Sequence, residues 1–219
     1  MNNQFAVIFD MDGVLVDNNP VHIEAWNIFA DKLGFELTPE KIRNDLYGRT
    51  NADAFRRLYR NDLTEEEYRQ LSQDKEALYR DIYKPNIKPV TGLISFLESM
   101  EENGVPMAIA TSAIPENVEF VTSELNIPQY FNVVVNETHV TKGKPDPQVY
   151  LLTAEKLGFD PSNCVVIEDS LSGVQSGLAA GCKVIGLTTT HTREELSNTH
   201  LIIDDFTELS HEKVSALIH

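Results

Sequence analysis

The sequence is short of several things, and each shortage excludes something. Only two cysteines occur in 219 residues, Cys164 and Cys182, and neither has a CxxC partner or a neighbouring histidine cluster. A disulfide framework and a structural zinc site are therefore not expected. Both thiols read as small core residues in a reducing compartment. Basic residues are scarce: 18 Lys and Arg stand against 34 Asp and Glu, a formal net charge of −16. Such a surface repels nucleic-acid phosphates and anionic lipid heads, so neither is expected as a partner. Long apolar runs are missing, and none approaches membrane-spanning length. No basic region followed by an apolar stretch opens the chain, so a cytoplasmic protein without a signal peptide is expected. An acidic chain that binds an anion needs a local correction: a metal ion, a placed lysine or helix N-termini.

What is present suffices for a sizeable core. The chain is long enough for one large domain, or one domain carrying a smaller insert, and 42% of it is hydrophobic. Short apolar runs recur at Phe5–Phe9, Met107–Thr111, Val133–Asn136, Val165–Ile167, Val184–Leu187 and Leu201–Ile203. Several are apolar on consecutive residues, as in strands covered on both faces. Between most of them lie helical patterns, such as Leu93, Phe96, Leu97 and Met100, or Val118, Val121 and Leu125. This alternation predicts an α/β fold, a Rossmann-like parallel sheet with helices on both sides. One stretch breaks the rhythm. From Pro20 to Tyr83 there is no convincing strand but several helices, the first with Ile23, Trp26, Ile28, Phe29 and Leu33 on one face and Gly34 as its stop. A charged helix follows Thr64, with Glu67 placed for a capping box, and reads as a solvated face. We therefore expect an all-α insert over 17–85, leaving 1–16 and 86–219 for the α/β part.

Ligands of open α/β sheets bind beyond the carboxyl ends of the strands. Those ends carry Asp10 and Asp12, then Thr111 and Ser112, then Lys142 and Lys144, then Glu168 and Asp169. Singly, each reads as a cap or a surface residue. Gathered at one rim they are hard to explain as capping. Carboxylates at close range raise one another's pKa unless a cation sits among them. Hard oxygen donors without His or thiolate suit Mg²⁺, and with Lys144 it would make a cationic pocket in an acidic protein. Gly13 would let the chain turn without a side chain crowding that pocket.

"DMDGVLVD", "ATSA", "GKPDP" and "VIEDSLSGVQSGLAAG" resemble, in order and spacing, the four motifs of the haloacid dehalogenase-like superfamily of phosphohydrolases. The likeness spans essentially the whole chain, and the insert resembles the helical cap of the phosphatase and beta-phosphoglucomutase branch. It implies Asp10 as nucleophile and Asp12 as general acid–base. Thr111 and Lys144 would hold the phosphoryl group, with Gly13 and Ser112 beside it. Mg²⁺ would sit on Asp10, Glu168, Asp169 and the Asp12 carbonyl. His22, at the position of a mutase hinge histidine, and Arg49 are candidates for contacting substrate. Their plainer readings are a polar helix start and a surface arginine. Asp17 reads as a hinge, a helix cap or a catalytic group, and Trp26 as cap core.

The dehalogenase branch typically lacks a second aspartate at position 12, so phosphoryl transfer is favoured. The mutases typically carry Lys and Arg where this chain has Tyr47 and Asn51, which weakens a distal phosphate site. The expectation is a phosphatase acting on a small phosphorylated metabolite such as a sugar phosphate, monomeric by default, with beta-phosphoglucomutase as the alternative. A receiver-type phosphorylation switch fits worse, because the third strand ends without an Asp.

Overall fold

Val7, Ile8 and Phe9 are wholly buried because they lie in the middle of a sheet. The computed structural model describes residues 5–46 and 50–218. Among these, six parallel strands run β1 (Ala6–Phe9), β2 (Met107–Ala110), β3 (Val133–Val135), β4 (Cys164–Glu168), β5 (Lys183–Leu187) and β6 (Leu201–Ile203), in the spatial order β3-β2-β1-β4-β5-β6. Every expected run forms its strand, with ends shifted by at most a residue or so. Side chains of β1 alternate between two cores. Val7 and Phe9 join one with Leu93, Phe96, Val118 and Val121, while Ala6 and Ile8 join another with Val149, Tyr150 and Val174. The flanking helices are α5 (Leu93–Glu102), α6 (Pro115–Glu124), α7 (Gln148–Leu157), α8 (Leu171–Ala179) and α9 (His211–Ser215). Cys164 and Cys182 are buried and unbridged, as their apolar neighbours suggest. No helix of the described residues is long and apolar enough to cross a membrane.

Strand order reverses at β1, which pairs with β2 on one side and β4 on the other. Such a switch point leaves a crevice beyond the carboxyl ends, because the crossovers diverge there.

Between β1 and α5 stand α1 (Asn19–Leu33), α2 (Pro39–Asp45), α3 (Asn51–Leu58) and α4 (Glu65–Tyr83). They bury a cluster of their own, built from Trp26, Phe29, Ala54, Phe55, Leu58 and Tyr68, with the Trp26 and Phe55 rings 4.6 Å apart. Gly34 ends α1 at φ 75°, and Thr64 with Glu67 completes the capping box of α4. The lower parts of α1 and α4 also touch the sheet's core, through Ala25, Tyr79 and Tyr83.

Two expectations need correction. Ile28 is exposed, because it lies a third of a turn from the Ala25–Trp26–Phe29 stripe. The charged helix α4 is not merely a solvated face. Tyr68, Ser72, Lys75, Glu76, Tyr79 and Tyr83 are buried along one side, where ion pairing and hydrogen bonds compensate the polar groups.

Candidate active site

Asp10 is the first residue past β1, and its N–H donates to the Ile167 carbonyl of the neighbouring strand at 3.0 Å. Phe9 pairs with Ile167 on one side and Ile109 on the other, so Asp10 stands level with Glu168 and near Thr111. Beyond Asp10 the backbone turns: Val14 and Leu15 donate to the Met11 carbonyl, and Gly13 donates to that of Val16. One cavity is lined by Asp10, Asp12, Thr111, Ser112, Lys144 and Asp169, with His22 at its insert side. Gly13 lies beneath it at φ +79°, where an added Cβ would stand 2.0 Å from Asp169 Oδ2. Lys142 stays exposed and pairs with Asp146. Asp17 is exposed and outside the cavity lining. Arg49 and Tyr47 lie outside the described residues.

Lys144 is almost fully buried between two carboxylates, 2.6 Å from Glu168 Oε1 and 3.0 Å from Asp10 Oδ1. Glu168 Oε1 also accepts from the Tyr150 hydroxyl at 2.7 Å, and its Oε2 accepts from the Asp169 and Ser170 N–H groups. Burial works to raise the Glu168 pKa, but Lys144 and these donors win and lower it. Asp10 fares differently. Burial, only partly offset by Lys144 and reinforced by Glu168 and Asp12, pushes it up to about 7. Asp169 is raised as well, by burial and then by the charges of Glu168 and Asp10. Three buried carboxylates thus meet around one lysine, a surplus of negative charge at close range.

That surplus is what a divalent cation would neutralise. Asp10, Glu168 and Asp169 can each offer one carboxylate oxygen within 4.8 Å of the others, all hard donors. Asp10 Oδ1 is buried, and Lys144 Nζ approaches it without an aligned hydrogen bond, so the atom keeps acceptor capacity within the cluster. The donor set fits Mg²⁺, with no His or thiolate among the three.

Residues in or beside the cavity that the strand ends listed above do not include are Asn18, Asn19, Lys75 and Thr190. Asn18 donates to Asp12 Oδ1 and to the Tyr79 hydroxyl, both at 2.6 Å, while its own carbonyl oxygen receives the Gly13 N–H. It fixes the loop that aims Asp12. Asn19 and Thr190 both donate to Asp169 Oδ2. Thr190 follows β5, so asking what stands past that strand too would have found it. Lys75, buried on α4, donates to His22 Nδ1 at 2.8 Å and to Glu76 Oε1 at 2.7 Å. Because lysine only donates, Nδ1 must accept, which leaves Nε2 of a neutral ring carrying the proton, 3.6 Å from Asp12 Oδ1. The ring of His22 stacks on Tyr79 at 3.9 Å. Spacing along α4 is the signal for Lys75: it continues the side marked by Tyr68, Ser72 and Tyr79.

Comparison with known proteins gives a consistent picture. Residues 7–187 match the sequence family described as haloacid dehalogenase-like hydrolase. A phosphorylated carbohydrates phosphatase of Thermotoga maritima is 33% identical over 184 residues, 82% of this chain and 83% of that protein. Hexitol phosphatase A of Escherichia coli is 32% identical over 221 residues, 93% of this chain and 92% of the relative. The crystal structure of a beta-phosphoglucomutase from Clostridium difficile superposes with a TM-score of 0.86 at 24% identity, covering 97% of this chain and 96% of that one, a likeness of fold.

Proposed function

This chain belongs to the haloacid dehalogenase-like hydrolases, and from that premise we propose that it is a Mg²⁺-dependent phosphatase of a small phosphorylated metabolite, a sugar or polyol phosphate. The two relatives named above, one a phosphatase of phosphorylated carbohydrates and the other of hexitol phosphates, support that substrate class. The observation that carries the reading is the meeting of Asp10, Asp12, Thr111, Lys144 and Asp169 in one cavity, at the point where the sheet's strand order reverses.

Asp10 is the nucleophile. Its carboxylate attacks phosphorus as the ester oxygen leaves, giving an aspartyl phosphate. Asp12 donates a proton to that leaving oxygen, then takes one from the water that attacks the phosphorus and frees Asp10. Lys144, the Thr111 hydroxyl and the backbone at Ser112 hold the phosphoryl oxygens. Asp10, Glu168, Asp169 and the Asp12 carbonyl would hold Mg²⁺, which would supply charge neutralisation for the phosphoryl group and favour the ionised carboxylates. His22, poised by Lys75, keeps a proton facing Asp12, and Asn18 holds the Asp12 loop. We assign 17–85 as a cap over this core, with Arg49 as a candidate substrate contact.

The receiver-type alternative falls with the family assignment. The mutase alternative predicts isomerisation of beta-glucose 1-phosphate, whereas we expect its hydrolysis even with a bisphosphate activator present. A screen of phosphorylated metabolites with Mg²⁺, following released inorganic phosphate, tests the reading. We expect sugar or polyol monophosphates to be turned over, and Asp10→Asn or a chelator to abolish turnover. Activity of Asp10→Asn on those esters would refute it.

A further inference from the structure

Glu76 takes no part in the phosphoryl chemistry, yet among the described residues it is the carboxylate that reaches the cavity from the helical insert. It is 4% exposed and held by three donors. Lys75 Nζ and Asn51 Nδ2 each bond Oε1 at 2.7 Å, and Asn117 Nδ2 bonds Oε2 at 2.6 Å. Asn117 belongs to α6 of the α/β part, so the group spans the seam between insert and core. Arg80 Nη1 donates to Asn117 Oδ1 at 2.7 Å and thereby turns the amide nitrogen toward Glu76. Burial works to raise the Glu76 pKa, but the Lys75 ammonium and the hydrogen bonds from Lys75 and Asn117 hold it below the ordinary carboxylate range.

A carboxylate offers about four acceptor positions, and three are taken, so Oε2 keeps one for a donor arriving from the cavity. Asn51 and Asn117, which line the cavity beside it, each carry a second amide N–H. An ionised acceptor next to amide donors suits a hydroxyl group, which donates and accepts at once. It does not suit a phosphate dianion, which only accepts. Lys75 offers no surplus charge here, being paired with Glu76 at 2.7 Å in a buried setting. A second phosphate at this end would meet a like charge where water screens it poorly.

We infer that Glu76, with Asn51 and Asn117, forms a hydroxyl-recognition subsite that reads the sugar or polyol part of a monophosphate and rejects a second phosphate. The inference rests on the phosphatase reading of the Asp10 site, and its test keeps the two apart. The kcat/KM of wild type, Glu76→Gln and Asn51→Ala is measured with Mg²⁺ on sorbitol 6-phosphate, glucose 6-phosphate, fructose 1-phosphate, fructose 1,6-bisphosphate and p-nitrophenyl phosphate, the last lacking hydroxyls. Wild type is expected to prefer at least one of the three monophosphates over the bisphosphate by roughly tenfold or more. Glu76→Gln should lower the ratio of that monophosphate to the aryl phosphate about tenfold, mostly through KM, because an acceptor for the substrate hydroxyl is weakened. It should also raise the ratio of bisphosphate to monophosphate, because Lys75 loses its counter-charge. Asn51→Ala, at the partly exposed start of α3, should lower the first ratio in the same direction, and it decides the question should Glu76→Gln not fold. Aryl phosphate turnover by wild type with no preference for a monophosphate, or with the first ratio unchanged in the variants, overturns the subsite and leaves the phosphatase standing. Absence of Mg²⁺-dependent turnover of any ester removes both.

Discussion

A methyl group on Gly13 would stand 2.0 Å from Asp169 Oδ2 and 2.8 Å from Asn19 Nδ2, on a backbone of φ +79° that L side chains rarely adopt. Gly173 meets the same limit, since a Cβ there would lie 1.7 Å from Glu168 Oε1. The carboxylate cluster is therefore framed by residues without side chains, and Gly13→Ala should cost activity and weaken Mg²⁺-induced stabilisation together. A thermal melt with and without Mg²⁺ reads the second effect, and an unchanged Mg²⁺ shift would show that Asp169 tolerates displacement. Asp12 carries a separate prediction. Loss of its proton-transfer role in Asp12→Asn should slow hydrolysis of a sugar phosphate by about 10²–10⁴-fold, measured as released phosphate in steady state. Turnover near that of wild type would reassign the acid–base. Asn18 is wholly buried with three partners, so Asn18→Ala should lower kcat with little change in KM, because it misdirects Asp12 without touching substrate.

At the scale of elements, the α/β half was legible down to the rim that gathers its site, whereas in the helical half only the helices and their caps were. Strands such as Val165–Ile167 announce themselves because both faces are covered, so every residue must be apolar. Parallel topology then collects their carboxyl ends at one rim, which is why Asp10, Thr111, Lys144 and Asp169 could be grouped from their positions in the chain. No such rule orders helices. Glu76 and Asn117 are 41 positions apart and meet only because α4 leans on α6. Their residue types, one charged and one amide, look like surface when read in line. The local signals on α4 were legible for the opposite reason: Thr64 and Glu67 are three residues apart and cap the helix without tertiary help. Thr64→Ala should accordingly cost about 1 kcal/mol of stability, read by chemical denaturation, and leave kcat unaltered. A loss of kcat would tie the far end of α4 to the chemistry.

For the molecule as a whole, the surplus of buried carboxylates links metal, protons and stability. Asp10 has a folded pKa of about 7 against an ordinary 3.8, and Asp169 is raised in the same direction. A raised carboxyl pKa contributes stability that is complete below the ordinary value and is lost as pH rises through the folded one. The metal-free protein should thus weaken between about pH 4 and pH 7 on account of Asp10, with Asp169 acting in the same sense, and Mg²⁺, which binds the ionised forms, should reverse it. The Mg²⁺-induced rise in Tm is expected to be larger at pH 8 than at pH 6. Glu137, raised to about 7 mainly by burial, loses stability over the same range, but it is outside the carboxylate cluster and cancels in this difference. A Mg²⁺ shift independent of pH would mean that the cluster is ionised without metal.

The most direct measurement concerns Asp10 itself. Turnover of a phosphate ester labelled in its phosphoryl group is quenched in acid within the first cycle, and the digested peptides are sequenced by mass spectrometry. The label is expected on the Asp10 side chain. Phosphate release with no label on Asp10, or label on another residue, would contradict that expectation.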